Sequence, residues 1–139
     1  MDRYFARYPG VADYMKCTRD LAKRQGYVET VFGRRLWLPE INAANPMRRQ
    51  GAERAAINAP MQGTAADLIK LAMIAVHEKL QSMKSRIVMQ VHDELVLEVP
   101  DEELVEIKIE LPRLMCNVAE LAVPLAVDVG VGANWERAH

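Results

Sequence analysis

Cysteine is scarce in this 139-residue chain, and what little there is stands apart. Cys17 and Cys116 form no C-x-x-C pair and have no histidine at zinc-site spacing, so both read as reduced, buried thiols in a reducing cytosol. No uninterrupted apolar run approaches the roughly 20 residues a membrane span requires. The start lacks the charged, apolar and small-residue pattern of a secretory signal. Repeats, linkers and low-complexity tracts are also missing. A soluble cytoplasmic protein with no membrane partner is therefore expected. Half the residues are hydrophobic and 27% are charged, the ordinary profile of a globular protein. The length suits one domain with a real core.

Net charge is nearly absent too, at −1, but this total hides an asymmetry. Residues 1–54 carry 11 Lys/Arg against 6 Asp/Glu, a net of +5. Residues 55–91 carry 4 against 2, and residues 92–139 carry 3 against 11, a net of −8. A basic front half can follow a phosphate backbone, because each neutralised phosphate releases condensed counterions. Solvated surface of both signs would give the same numbers, so charge alone does not decide between them.

Periodicity and breakers set out the elements. Helices are expected over 2–8 and 11–25, separated by Pro9-Gly10, with Gly26 as the glycine that follows a helix end. Residues 27–38 read as a hairpin turning at Phe32-Gly33, and 39–46 as a loop. A short helix over 47–57 precedes a longer one over 61–81, which is apolar on most faces and so expected to be largely buried. Asp101-Glu102-Glu103 should open a further helix, kinked or divided at Pro112, and a last strand is expected near 125–131. Met61, Met73 and Met89 read as core packing. The fold class is α+β: helices packed on a small antiparallel sheet.

The most informative stretch is 89–99, Met-Gln-Val-His-Asp-Glu-Leu-Val-Leu-Glu-Val. Two apolar, β-favouring runs meet at His92, Asp93 and Glu94, which reads as a hairpin with polar groups at its tip. Solvated turn residues would look similar, yet the Gly, Asn or Pro of a tight turn is missing. Two adjacent carboxylates repel each other and gain nothing as turn formers. A divalent metal would offset their charge.

Gln90-Val91-His92-Asp93-Glu94 resembles the third polymerase motif of DNA polymerase family A, the bacterial DNA polymerase I family. Residues 53–67, Glu-Arg-Ala-Ala-Ile-Asn-Ala-Pro-Met-Gln-Gly-Thr-Ala-Ala-Asp, are similar to that family's template-primer-binding segment. Tyr4 to Val11, Gly26 to Thr30 with Gly33-Arg34-Arg35, and Gly130 to Trp135 also match, so the likeness runs in order along the whole chain.

The resemblance implies that residues 1–46 belong to the base of the fingers and 47–139 to the palm. It implies that Asp93 is a metal ligand of a two-magnesium site, with Glu94 acting directly, through water or electrostatically. His92 would sit near the primer end, unless it is only a turn residue. Arg54, Asn58 and Gln62 are spaced four apart, on one face of a helical path that Pro60 interrupts. Such donors suit the purine N3 and pyrimidine O2 acceptors that every base pair offers in the minor groove; the alternative is a polar face paired to nearby loops. Gly63 would permit close approach of another backbone or of DNA. Arg34, Arg35, Arg48 and Arg49 are candidate phosphate contacts.

Parts of the family pattern are missing. The motif Asp-Tyr-Ser-Gln-Ile-Glu, which carries the second metal-binding Asp, is not in this sequence, nor is the fingers helix that grips the incoming nucleotide. The thumb and exonuclease domains are absent as well. Met1-Asp2 also fits internal family sequence, whereas His139 resembles the natural end, so a C-terminal fragment is expected. Its expected function is as part of a template-directed DNA polymerase of replication and repair, inactive alone, with primer-template DNA and dNTP as partners of the complete enzyme. The alternative is a DNA-binding or interaction module that keeps the fold without catalysis. An unpaired sheet edge beside the Asp93 hairpin would also favour weak self-association.

Overall fold

Gly26 ends one helix and starts a hairpin, and the first half of the fold is organised round that reversal. The computed structural model describes residues 2–138. Helix α1 (Asp2–Arg7) leads into α2 (Pro9–Gln25). Pro9 stands at the start of α2 rather than between two separated helices, because a first-turn residue has no use for the N–H that proline lacks. Gly26 takes a left-handed conformation at φ 81° and donates to the Ala22 carbonyl, closing α2 as expected. Strands β1 (Tyr27–Glu29) and β2 (Arg35–Trp37) then pair antiparallel, Val28 opposite Leu36. Gly33, at φ 80°, makes the turn.

The long helix α3 runs unbroken from Pro46 to Leu80, with Pro60 inside it. Two shorter helices had been expected. Proline removes the helical bond to the Ala56 carbonyl, and the Thr64 Oγ1 bond to the Pro60 carbonyl, at 2.6 Å, does not replace it. Alanines at 52, 55, 56 and 59 pack the preceding turns, so tertiary contact offsets the local penalty.

The chain divides into two compact units, and the division falls inside α3, between Thr64 and Ala65. The first unit has a core of Ala22, Val28, Leu38, Ile41 and Ala56. Fully burying each larger aliphatic contributes about 1.5–3 kcal/mol. Two polar ties add specificity: Tyr14 Oη donates to the Ile57 carbonyl at 2.9 Å, and Lys23 pairs with Glu53 at 2.7 Å.

In the second unit β3 (Arg86–Val91) and β4 (Glu94–Glu98) pair antiparallel, and α4 (Leu104–Cys116) follows. Val76, Leu80 and Ile107 form the core, against which Ile87, Leu95, Leu97, Leu111 and Met115 pack. The stripe 107, 111, 115 is the inner face of α4; Val105 and Ile109 lie exposed on its outer side. Pro112 does not divide the helix. The C-terminal part of α3 buries only Ala72, Val76 and Leu80, and Ile74 is half exposed, so it is not covered on most sides. Met61 and Met89 are exposed as well, and Cys17 is an exposed free thiol rather than a buried one. Val88 sits at an irregularity of the β3–β4 register, which turns Val88 and Met89 outward.

Residues 125–131 form no strand. A strand requires a neighbour, and among the described residues β3 and β4 pair only with each other. This segment instead leads, without regular structure, to the short helix α5 (Trp135–Ala138), whose backbone crosses so near Gly130 and Gly132 that no side chain fits there.

The acidic run ahead of α4 also behaves differently from expectation. The helix begins at Leu104, and Glu103 turns back to accept hydrogen bonds from the Lys84 and Ser85 amides, both at 2.9 Å, and from the Ser85 hydroxyl. The Lys84 amide, then the Ser85 hydroxyl, hold the Glu103 carboxyl below its ordinary 4.5. Its stabilising contribution is therefore complete above that value and lost as pH falls through the lower, folded one. Glu103→Gln should make the drop in thermal midpoint between about pH 6 and about pH 3 shallower. An unchanged pH profile would contradict this assignment.

Candidate nucleic-acid and metal site

Arg54, Asn58 and Gln62 are all exposed on α3. At about 1.5 Å per residue they span roughly 12 Å along the helix, three to four base-pair steps of a duplex. Glu53, beside Arg54, is occupied elsewhere: its hydrogen bond from Lys23 holds its pKa down and its charge paired. The row therefore presents one cation and two amides to solvent, all able to donate.

The four other candidate arginines, Arg34, Arg35, Arg48 and Arg49, are each engaged with the protein. Arg34 Nη2 donates to the Gly63 carbonyl at 3.1 Å. Arg35 pairs with Glu29 at 2.7 Å and lies 4.5 Å over the Tyr27 ring, contacts that raise its pKa further, the Glu29 bond foremost. Arg48 lies 3.4 Å from Glu40, and Arg49 Nη1 donates to the Ala43 carbonyl at 2.9 Å. The close approach expected at Gly63 comes from the protein itself. A Cβ there would lie 2.7 Å from Thr30 Cγ2. Thr30 and Thr64, which meet this helix turn, were not singled out from sequence; a threonine four residues after a helix proline was the available signal.

In the second unit the β3–β4 loop contains only His92 and Asp93, because Val91 pairs with Glu94. His92, Asp93 and Glu94 are exposed at the apex. His92 has φ 52°, the left-handed region a two-residue hairpin demands and that glycine usually fills. Gln90 Nε2 donates to the His92 carbonyl at 2.9 Å and steadies the turn. At the base of the ribbon Arg86 grips Glu98 through two nitrogens, at 2.8 and 2.6 Å. The two carboxylates at the tip are hard oxygen donors of the kind magnesium prefers. Among the described residues no three His, Cys, Asp or Glu side chains gather as a metal site.

The family model for "DNA polymerase family A" matches residues 1–137. The chain belongs to DNA polymerase family A. It is 56% identical to DNA polymerase I of Pseudomonas aeruginosa over 141 aligned residues, covering all of this chain and 15% of that protein. Against the thermostable DNA polymerase I of Thermus aquaticus it is 46% identical, covering 97% of this chain and 16% of the relative. The chain thus spans about a sixth of the curated relatives it matches. It is also similar to a solved structure, the POL domain of Pol1 from M. smegmatis in complex with DNA primer-template and dNTP. There the TM-score is 0.97 and the identity 47%, over 99% of this chain and 25% of that one. The α+β architecture expected from sequence agrees with that of this family A domain. Among the described residues, no helix is long and apolar enough to cross a membrane.

Proposed function

We propose that this chain is the C-terminal part of a DNA-directed DNA polymerase of replication and repair. Residues 1–46 would form the base of the fingers and 47–139 part of the palm. The observation that carries this reading is the exposed Asp93-Glu94 pair at a hairpin apex in a family A chain.

Asp93 would hold the catalytic magnesium, with Glu94 as the accessory carboxylate, and a carboxylate outside this chain would be needed beside them. Magnesium bound there would supply activation of the primer hydroxyl and stabilisation of the departing pyrophosphate. His92 orients the primer end. Arg54, Asn58 and Gln62 donate to minor-groove acceptors of the primer-template duplex, a contact that tolerates any sequence but requires correct pair shape. Arg34, Arg35, Arg48 and Arg49 lie in the basic half that faces the phosphates, with dNTP bound by parts of the complete enzyme outside this chain. The protein works in the cytoplasm. Alone, the chain would self-associate weakly through an edge of the β3–β4 ribbon that no strand pairs with among the described residues.

The test is duplex affinity in the complete polymerase. Arg54→Ala removes a charged donor and should raise the primer-template Kd about tenfold, within the range for one charge-assisted hydrogen bond. Unchanged affinity across salt concentrations would remove the row from the interface and favour a polar face that serves only neighbouring loops.

A further inference from the structure

The turn of the β1–β2 hairpin grips α3 at the residues immediately after Gln62. Thr64 Oγ1 accepts the Val31 amide at 3.0 Å while donating to the Pro60 carbonyl at 2.6 Å. Arg34 Nη2 donates to the Gly63 carbonyl at 3.1 Å. Thr30, which is buried, accepts the Phe32 and Arg34 amides at 3.3 and 3.2 Å and so fixes the shape of the gripping turn. Its methyl lies so near Gly63 that any Cβ there would collide with it. A cavity of about 270 Å³ between turn and helix is lined by Thr30, Arg34, Ala59, Gln62 and Gly63.

The grip sits where α3 is intrinsically weakest. Pro60 removes one helical hydrogen bond and crowds the carbonyl four residues before it. The side-chain bonds to the Pro60 and Gly63 carbonyls tie down the turn on which Gln62 is carried. A hydrogen bond fades between about 3.0 and 3.5 Å, so a shift of half an ångström at Gln62 decides whether it reaches an acceptor.

We propose that Thr64 and Arg34 are positioning residues that set Gln62 at the distance where it discriminates a correct from a misshapen base pair. This rests on the minor-groove role proposed above for Gln62, and the test separates the two. Arg34 thereby clamps the helix through its bond to the Gly63 carbonyl.

The experiment uses the complete polymerase carrying this sequence and measures kcat/KM for extending a matched and a mismatched primer end. Gln62→Ala is the reference and should narrow the matched-to-mismatched ratio. Thr64→Val keeps the shape of the side chain but loses its hydroxyl; it should narrow the ratio in the same direction by about fivefold, the worth of one ordinary hydrogen bond. Thr64→Ser should restore it. Combining Thr64→Val with Gln62→Ala should add nothing to Gln62→Ala alone. General destabilisation would instead lower both rates together and leave the ratio alone. Arg34→Met provides an independent reading from the hairpin side should Thr64→Val fold poorly.

If Gln62→Ala narrows the ratio while Thr64→Val and Arg34→Met match the wild type, the clamp is refuted and the role of Gln62 survives. If Gln62→Ala leaves the ratio unchanged, its minor-groove role fails and the clamp with it, whatever the other variants do.

Discussion

Asp93→Asn in the complete polymerase is expected to abolish DNA synthesis while leaving primer-template binding largely intact. The substitution keeps the size and exposure of the side chain at the apex of β3–β4 but removes the negative oxygen. Charge stabilisation by a bound metal is worth several kcal/mol in the transition state. At 1.36 kcal/mol per tenfold, the expected loss in kcat is about 10³-fold or more. Asp93 is exposed and makes no core contact, so thermal stability should not change. Loss of duplex binding together with synthesis would point to a structural role for the tip instead.

The isolated chain, supplied with magnesium, primer-template and dNTP, is expected to extend nothing. Two carboxylates at one tip, with no third ligand gathered among the described residues, cannot assemble a two-metal site. The row of donors on α3 would still allow weak duplex binding. Sedimentation of the same sample should show association that grows with concentration, because among the described residues no further strand pairs with the β3–β4 ribbon. Robust extension would overturn the view that catalysis requires residues beyond this sequence. A cleanly monomeric profile at high concentration would count against the edge pairing.

What could be read from the sequence follows the range of the forces involved. Both hairpins were legible, since strand runs, Gly33 and the polar tip are local signals, and so was the Gly26 helix end. The Arg54, Asn58 and Gln62 row was legible as spacing, although Pro60 suggested an interruption that the packed alanines override. Segment 125–131 has strand-like residues, yet strand formation depends on a partner that composition does not reveal. Met61 and Met89 look like core residues by type, but burial is decided by what lies opposite, and both stay exposed among the described residues. The Thr64 bond to Val31 joins residues 33 apart, beyond any local pattern. Glu103 was read as a helix opener; its contact with Lys84 and Ser85 is likewise set by tertiary approach.

The most direct test of metal binding at the tip is iron-directed cleavage of the complete polymerase. Ferrous ion in place of magnesium, with ascorbate and peroxide, releases radicals that cut the backbone beside the bound ion. With primer-template present, cleavage should fall around His92–Glu94 and disappear in Asp93→Asn. Cutting that is absent from this segment, or that persists unchanged in the variant, would contradict the assignment.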